Sequence, residues 1–121
     1  VLYKLNYINS DKRIISCDSG SKEVDVSKII YIESSGHKVT YHIYGKEFGG
    51  YVVKSKLDDI ENELKEYKYL LRVHQSYIVN MMYVNNISSY RVYLKNGIDL
   101  GVPKSRYKEV KKRILEFKEN N

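Results

Sequence analysis

Val1 to Ile8 alternates polar and apolar residues, the period of a strand with one buried face. Two more short runs, Ile14 to Cys17 and Lys22 to Val26, are set off by the turn-forming stretches Asn9-Ser10-Asp11 and Ser19-Gly20-Ser21. Ile29 to Ile32 is an unbroken apolar run, closed by Ser34-Ser35-Gly36. Lys38 to Tyr44 is rich in β-branched and aromatic residues and predicts a strand, with Phe48 to Val53 as its expected partner across Gly45.

The period then changes. Leu57, Ile60, Leu64 and Tyr67 fall on one helical stripe, so a helix is expected from Ser55 to about Tyr67. Ser55 is its expected cap, and Asp58, Asp59 and Glu61 suit the positive end of the helix. Strands return at Tyr69 to Val73, Tyr77 to Val79 and Val84 to Ile87. Tyr90 to Leu94 and Ile98 to Val102 flank Lys95-Asn96-Gly97, a strong hairpin signal. Pro103 opens a second helix to about Lys118, with Tyr107, Val110, Ile114 and Phe117 on its apolar face. The pattern predicts a mainly β, antiparallel fold with one mid-chain helix and one C-terminal helix. No repeat or linker divides it, so residues 1–121 are expected to form a single domain.

Composition narrows the class. The chain is 42% hydrophobic and 30% charged, the balance of a folded domain. No apolar run approaches the roughly 18 residues of a membrane-spanning helix, and no membrane partner is expected. The N-terminus lacks a signal-peptide pattern. The lone Cys17 forms no internal disulfide, so nothing asks for an oxidising compartment. Val1 in place of Met points to a piece of something longer. Tyrosine occurs 13 times against two Phe and no Trp, so much of it must be core. The formal net charge is +6, and residues 103–121 hold seven basic and three acidic side chains. Such a local excess points to a polyanion, nucleic acid or an anionic surface; a solvated lysine-rich helix face is the alternative.

Catalytic and cofactor signatures are missing. No glycine-rich phosphate loop and no C-x-x-C motif occur, and neither a cofactor nor a metal is expected. His37 and His42 lie five apart on a loop and strand whose side chains alternate, which is a poor zinc pair. Cys17 reads as an inert core thiol, Glu33 as part of a strand-end turn, and Asp58 and Asp59 as helix N-terminal charge.

Residues 69–80, Tyr-Leu-Leu-Arg-Val-His-Gln-Ser-Tyr-Ile-Val-Asn, carry more information. Arg72, His74, Gln75 and Ser76 crowd five positions between two apolar runs. In a regular strand Arg72, His74 and Ser76 share one side, and Gln75 faces the other unless a turn or bulge re-aims it. A structural account, with His74 and Ser76 capping a turn, competes with a functional one and explains Gln75 less well.

The run Leu71 to Asn80 resembles the signature of the LytTR family of DNA-binding domains of bacterial response regulators. Ile29 to Ser34 followed by Gly36-His37-Lys38, the helix around Leu57, Ile60 and Leu64, and Leu94 to Tyr107 resemble further parts of that family in the same order, roughly over residues 24–117. The resemblance implies a cytoplasmic, non-enzymatic transcription regulator domain of several small antiparallel sheets. It implies loops that enter successive major grooves of duplex DNA at promoter-region direct repeats, with two copies able to share a repeat as a homodimer. It also implies an N-terminal receiver domain outside this chain. By position, His37 and Lys38 would enter one groove, Gln75 the centre, and Lys104, Ser105 and Arg106 the next. The family commonly has Arg or Asn where Gln75 stands, so Gln75 is left between an adenine and a phosphate or water. Arg106 suits guanine, whose O6 and N7 its fork matches; capping the last helix or pairing with Glu109 is the alternative. Tyr77 and Tyr107 flank these loops and could give hydroxyls to phosphates. Two other readings stay open. One is a small metal-independent ribonuclease using His37 and His74; the other is an RNA-binding or protein-docking β module.

Overall fold

The computed structural model describes residues 11–17, 20–45 and 50–120. The expected strand at residues 1–8 and the start of the one at Phe48 lie outside them. Among the described residues ten strands form three antiparallel sheets. Strands β1 (Lys12–Cys17) and β2 (Gly20–Asp25) make a hairpin. The central sheet has the order β5-β4-β3-β7-β6, built from β3 (Ile29–Ser35), β4 (Lys38–Ile43), β5 (Tyr51–Lys54), β6 (Leu70–His74) and β7 (Tyr77–Asn80). The third sheet joins β8 (Val84–Ser88), β9 (Arg91–Leu94) and β10 (Asp99–Gly101). Helix α1 is Leu57–Glu63 and helix α2 is Lys104–Glu119.

The unbroken Ile29–Ile32 run is explained by its place. Strand β3 is central, and all four residues are buried because both sheet faces are covered. An irregularity between Ile29 and Tyr31 breaks the alternation, sending Ile30 and Tyr31 into one core and Ile29 and Ile32 into the other. The first core joins the sheet to β8–β10 and to Val110 and Ile114 of α2. The second joins it to the β1–β2 hairpin and α1. Gly50, at φ +55, has no room for a side chain, since a Cβ there would meet the Tyr41 carbonyl oxygen.

Three local expectations change. The mid-chain helix is shorter than 55–67: it starts at Leu57 and ends at Glu63, yet Leu64 and Tyr67 stay buried. The chain turns at residues 64–66 to enter the edge strand β6, and Leu70 N–H donates to the Tyr67 carbonyl at 3.2 Å. Ser55 is not its cap: Lys56 holds the N-cap position with no side-chain cap bond, and the Ser55 hydroxyl faces the Lys56 carbonyl at 3.5 Å instead of accepting from the helix. Cys17 is half-buried at the end of β1, its thiol donating to the Gly20 carbonyl at 2.9 Å, so it is not a core thiol. The C-terminal helix matches expectation, with Val110 and Ile114 buried and Tyr107 and Phe117 half-buried against the same core.

Candidate nucleic-acid interface

Antiparallel pairing decides which turns meet. Strand β3 runs toward Ser35, and β7 starts beside it, with Tyr77 opposite Glu33. The β3–β4 turn at Gly36-His37 and the β6–β7 turn at Gln75-Ser76 therefore emerge at the same end of the central sheet. A main-chain bond from Ser34 N–H to the Ser76 carbonyl, 2.9 Å, ties one turn to the other. Gly36, Ser34, Gln75 and Ser76 line one open groove beside the start of α1. His37, Lys38 and Gln75 are all exposed there.

The polar crowd around Gln75 divides into supports and a tip. A register shift between Arg72 and His74 interrupts the alternation, and Gln75 and Ser76 form the two-residue turn that takes Gln75 off the strand. The Arg72 guanidinium is nearly buried, with a side-chain exposure of 9%, and donates to the His74 carbonyl at 2.8 Å and to the Gln75 carbonyl. The same group pairs with Asp58 at 2.9 Å and Glu61 at 2.8 Å on α1. His74 Nδ1 accepts from the Ser76 N–H at 2.9 Å, and its ring leans on Tyr77 with centroids 5.0 Å apart. Asn80, fully buried, donates to the Ser27 and Ile29 carbonyls at 3.1 and 2.8 Å and accepts from Met82 N–H at 2.9 Å. The structural account holds for His74, whose ring caps the turn, while Ser76 takes part through its main-chain N–H and carbonyl and the Gln75 side chain is left exposed.

Arg106 stands apart from this end, on the first turn of α2 with Lys104 and Ser105, and all three are exposed. Its N–H donates to the Pro103 carbonyl at 3.0 Å. Among the described residues its guanidinium forms no ion pair, so the expected alternative of pairing with Glu109 is not realised. Tyr107 packs on Tyr90 at 4.5 Å, with the Lys104 ammonium 5.9 Å from the Tyr90 ring and that of Lys111 5.9 Å from the Tyr107 ring. Ser89 and Tyr90 both have positive φ, at 52° and 63°, in a turn more often made by Asn-Gly. Tyr77 and Tyr107 are half-buried against the same core.

Glu33 is not a turn residue. Its carboxylate lies 2.6 Å from His42 Nε2, and the His42 ring stacks on Tyr31 at 4.1 Å. Burial first, then the nearby Glu33 and Tyr77, push the Tyr31 phenol up to about 12. His37 and His42 do not converge: one is in the exposed turn and the other is engaged on β4. Among the described residues no cluster of ligating side chains could hold a metal.

Residues absent from the expected set also reach this end. Lys54 lies opposite Lys38, and Lys56 lines the groove shared by the two turns. Only the β4–β5 register reveals them; in the sequence they are two lysines around a serine.

A mainly β domain that lifts exposed polar turns on rigid strands is a scaffold for docking onto a polyanion. The model of the LytTr DNA-binding domain matches residues 19–115, and the chain belongs to that family. A curated relative is the sensory transduction protein LytT of Bacillus subtilis (strain 168), 33% identical over 97 residues. That match covers 75% of this chain but 38% of the relative, so the chain spans well under half of its length. The fold is also that of the solved LytTr DNA-binding domain of a Bacillus cereus protein described as a methyl-accepting/DNA response regulator. Its TM-score is 0.67 at 22% identity, covering 88% of this chain and 97% of that one. The mainly β fold expected from the pattern, with a mid-chain and a C-terminal helix, is thereby borne out.

Proposed function

We propose that this LytTr domain is the promoter-reading part of a cytoplasmic transcriptional response regulator, acts without catalysis, and sits beside a receiver domain in the full protein. It enters successive major grooves with separate turns: His37 and Lys38 in one, Gln75 between, and Arg106 in the next, where Lys104 and Ser105 hold phosphates. Tyr77 and Tyr107 offer hydroxyl edges to the backbone. Direct repeats would seat two copies side by side.

The observation that carries this reading is the division of labour at the β6–β7 turn. Arg72, His74 and Ser76 fix the main chain, while Gln75 keeps an exposed amide free for a base edge, a phosphate or a water. A side chain on a fixed backbone reads a sequence without a main-chain ordering penalty at the moment of binding. Among the described residues no helix is long and apolar enough to cross a membrane.

The test is binding to a repeat-containing promoter duplex against random duplex at moderate salt. Wild-type protein is expected to prefer the promoter, and His37→Ala, Gln75→Ala and Arg106→Ala each to reduce that preference. Equal binding to both duplexes by the wild type would overturn the reading.

A further inference from the structure

Lys38 on β4 stands directly opposite Lys54 on β5. Opposed residues of an antiparallel pair hold their Cβ atoms about 4.5–5.5 Å apart, and like charges there repel. Both side chains are exposed, as is Lys56 two residues on. Among the described residues none of the three forms an ion pair. Asp58, the carboxylate that lines the groove with Lys56, is already paired with Arg72 at 2.9 Å. The bond from Ser55 N–H to the His37 carbonyl stitches Lys54-Ser55-Lys56 to the His37 turn. The β4–β5 pairing thus brings three exposed lysines to one turn, none of them in an ion pair among the described residues.

We propose that Lys54 and Lys56, with Lys38 at the rim of the groove His37 enters, form a phosphodiester-binding site that grips the DNA backbone beside that groove. The proposal rests on the duplex-reading function above and adds the backbone contact that registers this turn. A major groove is only about 12 Å wide, so a side chain at its base edges brings the bordering phosphates near the flanking residues. Lysine suits that task as a compact, mobile point charge, and a phosphate between Lys38 and Lys54 removes the repulsion left in the free protein. Lysines on an edge strand also deter sheet-to-sheet pairing, and β5 is an edge. That role alone predicts self-association in the variants and no change in DNA binding.

The experiment is a salt series of duplex binding with wild type, Lys54→Gln, the Lys54→Gln/Lys56→Gln double variant and Lys54→Arg, alongside thermal unfolding of each. Each lost phosphate contact should flatten the slope of log affinity against log salt by about 0.9. For one contact, the gap between wild type and variant then narrows about 3.5-fold between about 50 and 200 mM salt. Promoter and random duplex should weaken by the same factor, Lys54→Arg should restore binding, and Lys54→Gln should melt no lower than wild type. An unchanged slope in the double variant, or a loss confined to the promoter duplex, overturns the site. It leaves the domain's reading standing as long as wild type still prefers the promoter. Wild-type protein with no salt-dependent duplex binding overturns both.

Discussion

The guanidinium of Arg72 holds the main-chain carbonyl of Gln75, three residues ahead of it, while two carboxylates of α1 hold the guanidinium. One nearly buried fork therefore fixes the position of an exposed tip. Lysine cannot copy this, because it lacks the planar set of donors that reaches two carbonyls and two carboxylates together.

Arg72→Lys and Arg72→Ala are expected to destabilise the fold by about 1–3 kcal/mol, since the His74 and Gln75 carbonyls lose their donor. Asp58 is 85% exposed in its side chain and rehydrates readily, so Asp58→Asn alone should do much less. Chemical denaturation of the three variants measures this. Promoter preference should fall in Arg72→Lys even where the protein remains folded.

Arg106→Ala should leave stability within about 0.5 kcal/mol, because the side chain is exposed and unpaired among the described residues. Discrimination between promoter and random duplex should drop by about 1–3 kcal/mol. Footprinting should show protection lost at one position of the site only. A uniform loss at every position would make Arg106 a phosphate contact.

Asn80→Leu removes three hydrogen bonds from a fully buried site and strands the Ser27 and Ile29 carbonyls and the Met82 N–H. A loss on the order of 3 kcal/mol is expected. Thermal unfolding should show it as a clear fall in Tm, with DNA preference intact in the fraction that remains folded.

Alkali should unfold the domain in a defined window. The Tyr31 phenol is held up at about 12 by burial first and then by Glu33 and Tyr77. Tyr41 and Tyr69 are raised too, with burial the first cause in both. A phenol in the unfolded chain releases its proton near 10. The stabilisation from keeping these groups neutral is therefore complete below about pH 10 and is lost as pH rises toward 12. Unfolding curves across that range, read beside tyrosinate absorbance, should show stability falling as the buried phenols ionise. Tyr41→Phe should weaken the dependence.

Much of the architecture was legible because periodicity reports burial. The Ile29–Ile32 run marked a strand, which the structure covers on both faces, and the Tyr107, Val110, Ile114 and Phe117 stripe gave α2 within a residue at each end. The stripe through Tyr67 overshot α1, because a buried spacing cannot tell a helix from the turns that follow it when both face one core. The motif around Gln75 located the central turn, but which of its polar residues face inward depends on a bulge that strand alternation hides. Lys54 was invisible for another reason. Its nearness to Lys38 comes from the register of β4 against β5, which side-chain alternation alone does not set.

The Arg72 fork and the Asn80 anchor grip main chain, not the amide at position 75. Position 75 is thus a socket whose occupant can be exchanged while its mount stays put. On the proposed reading of Gln75, a regulator built this way acquires a new operator by single replacements, with each step still folding.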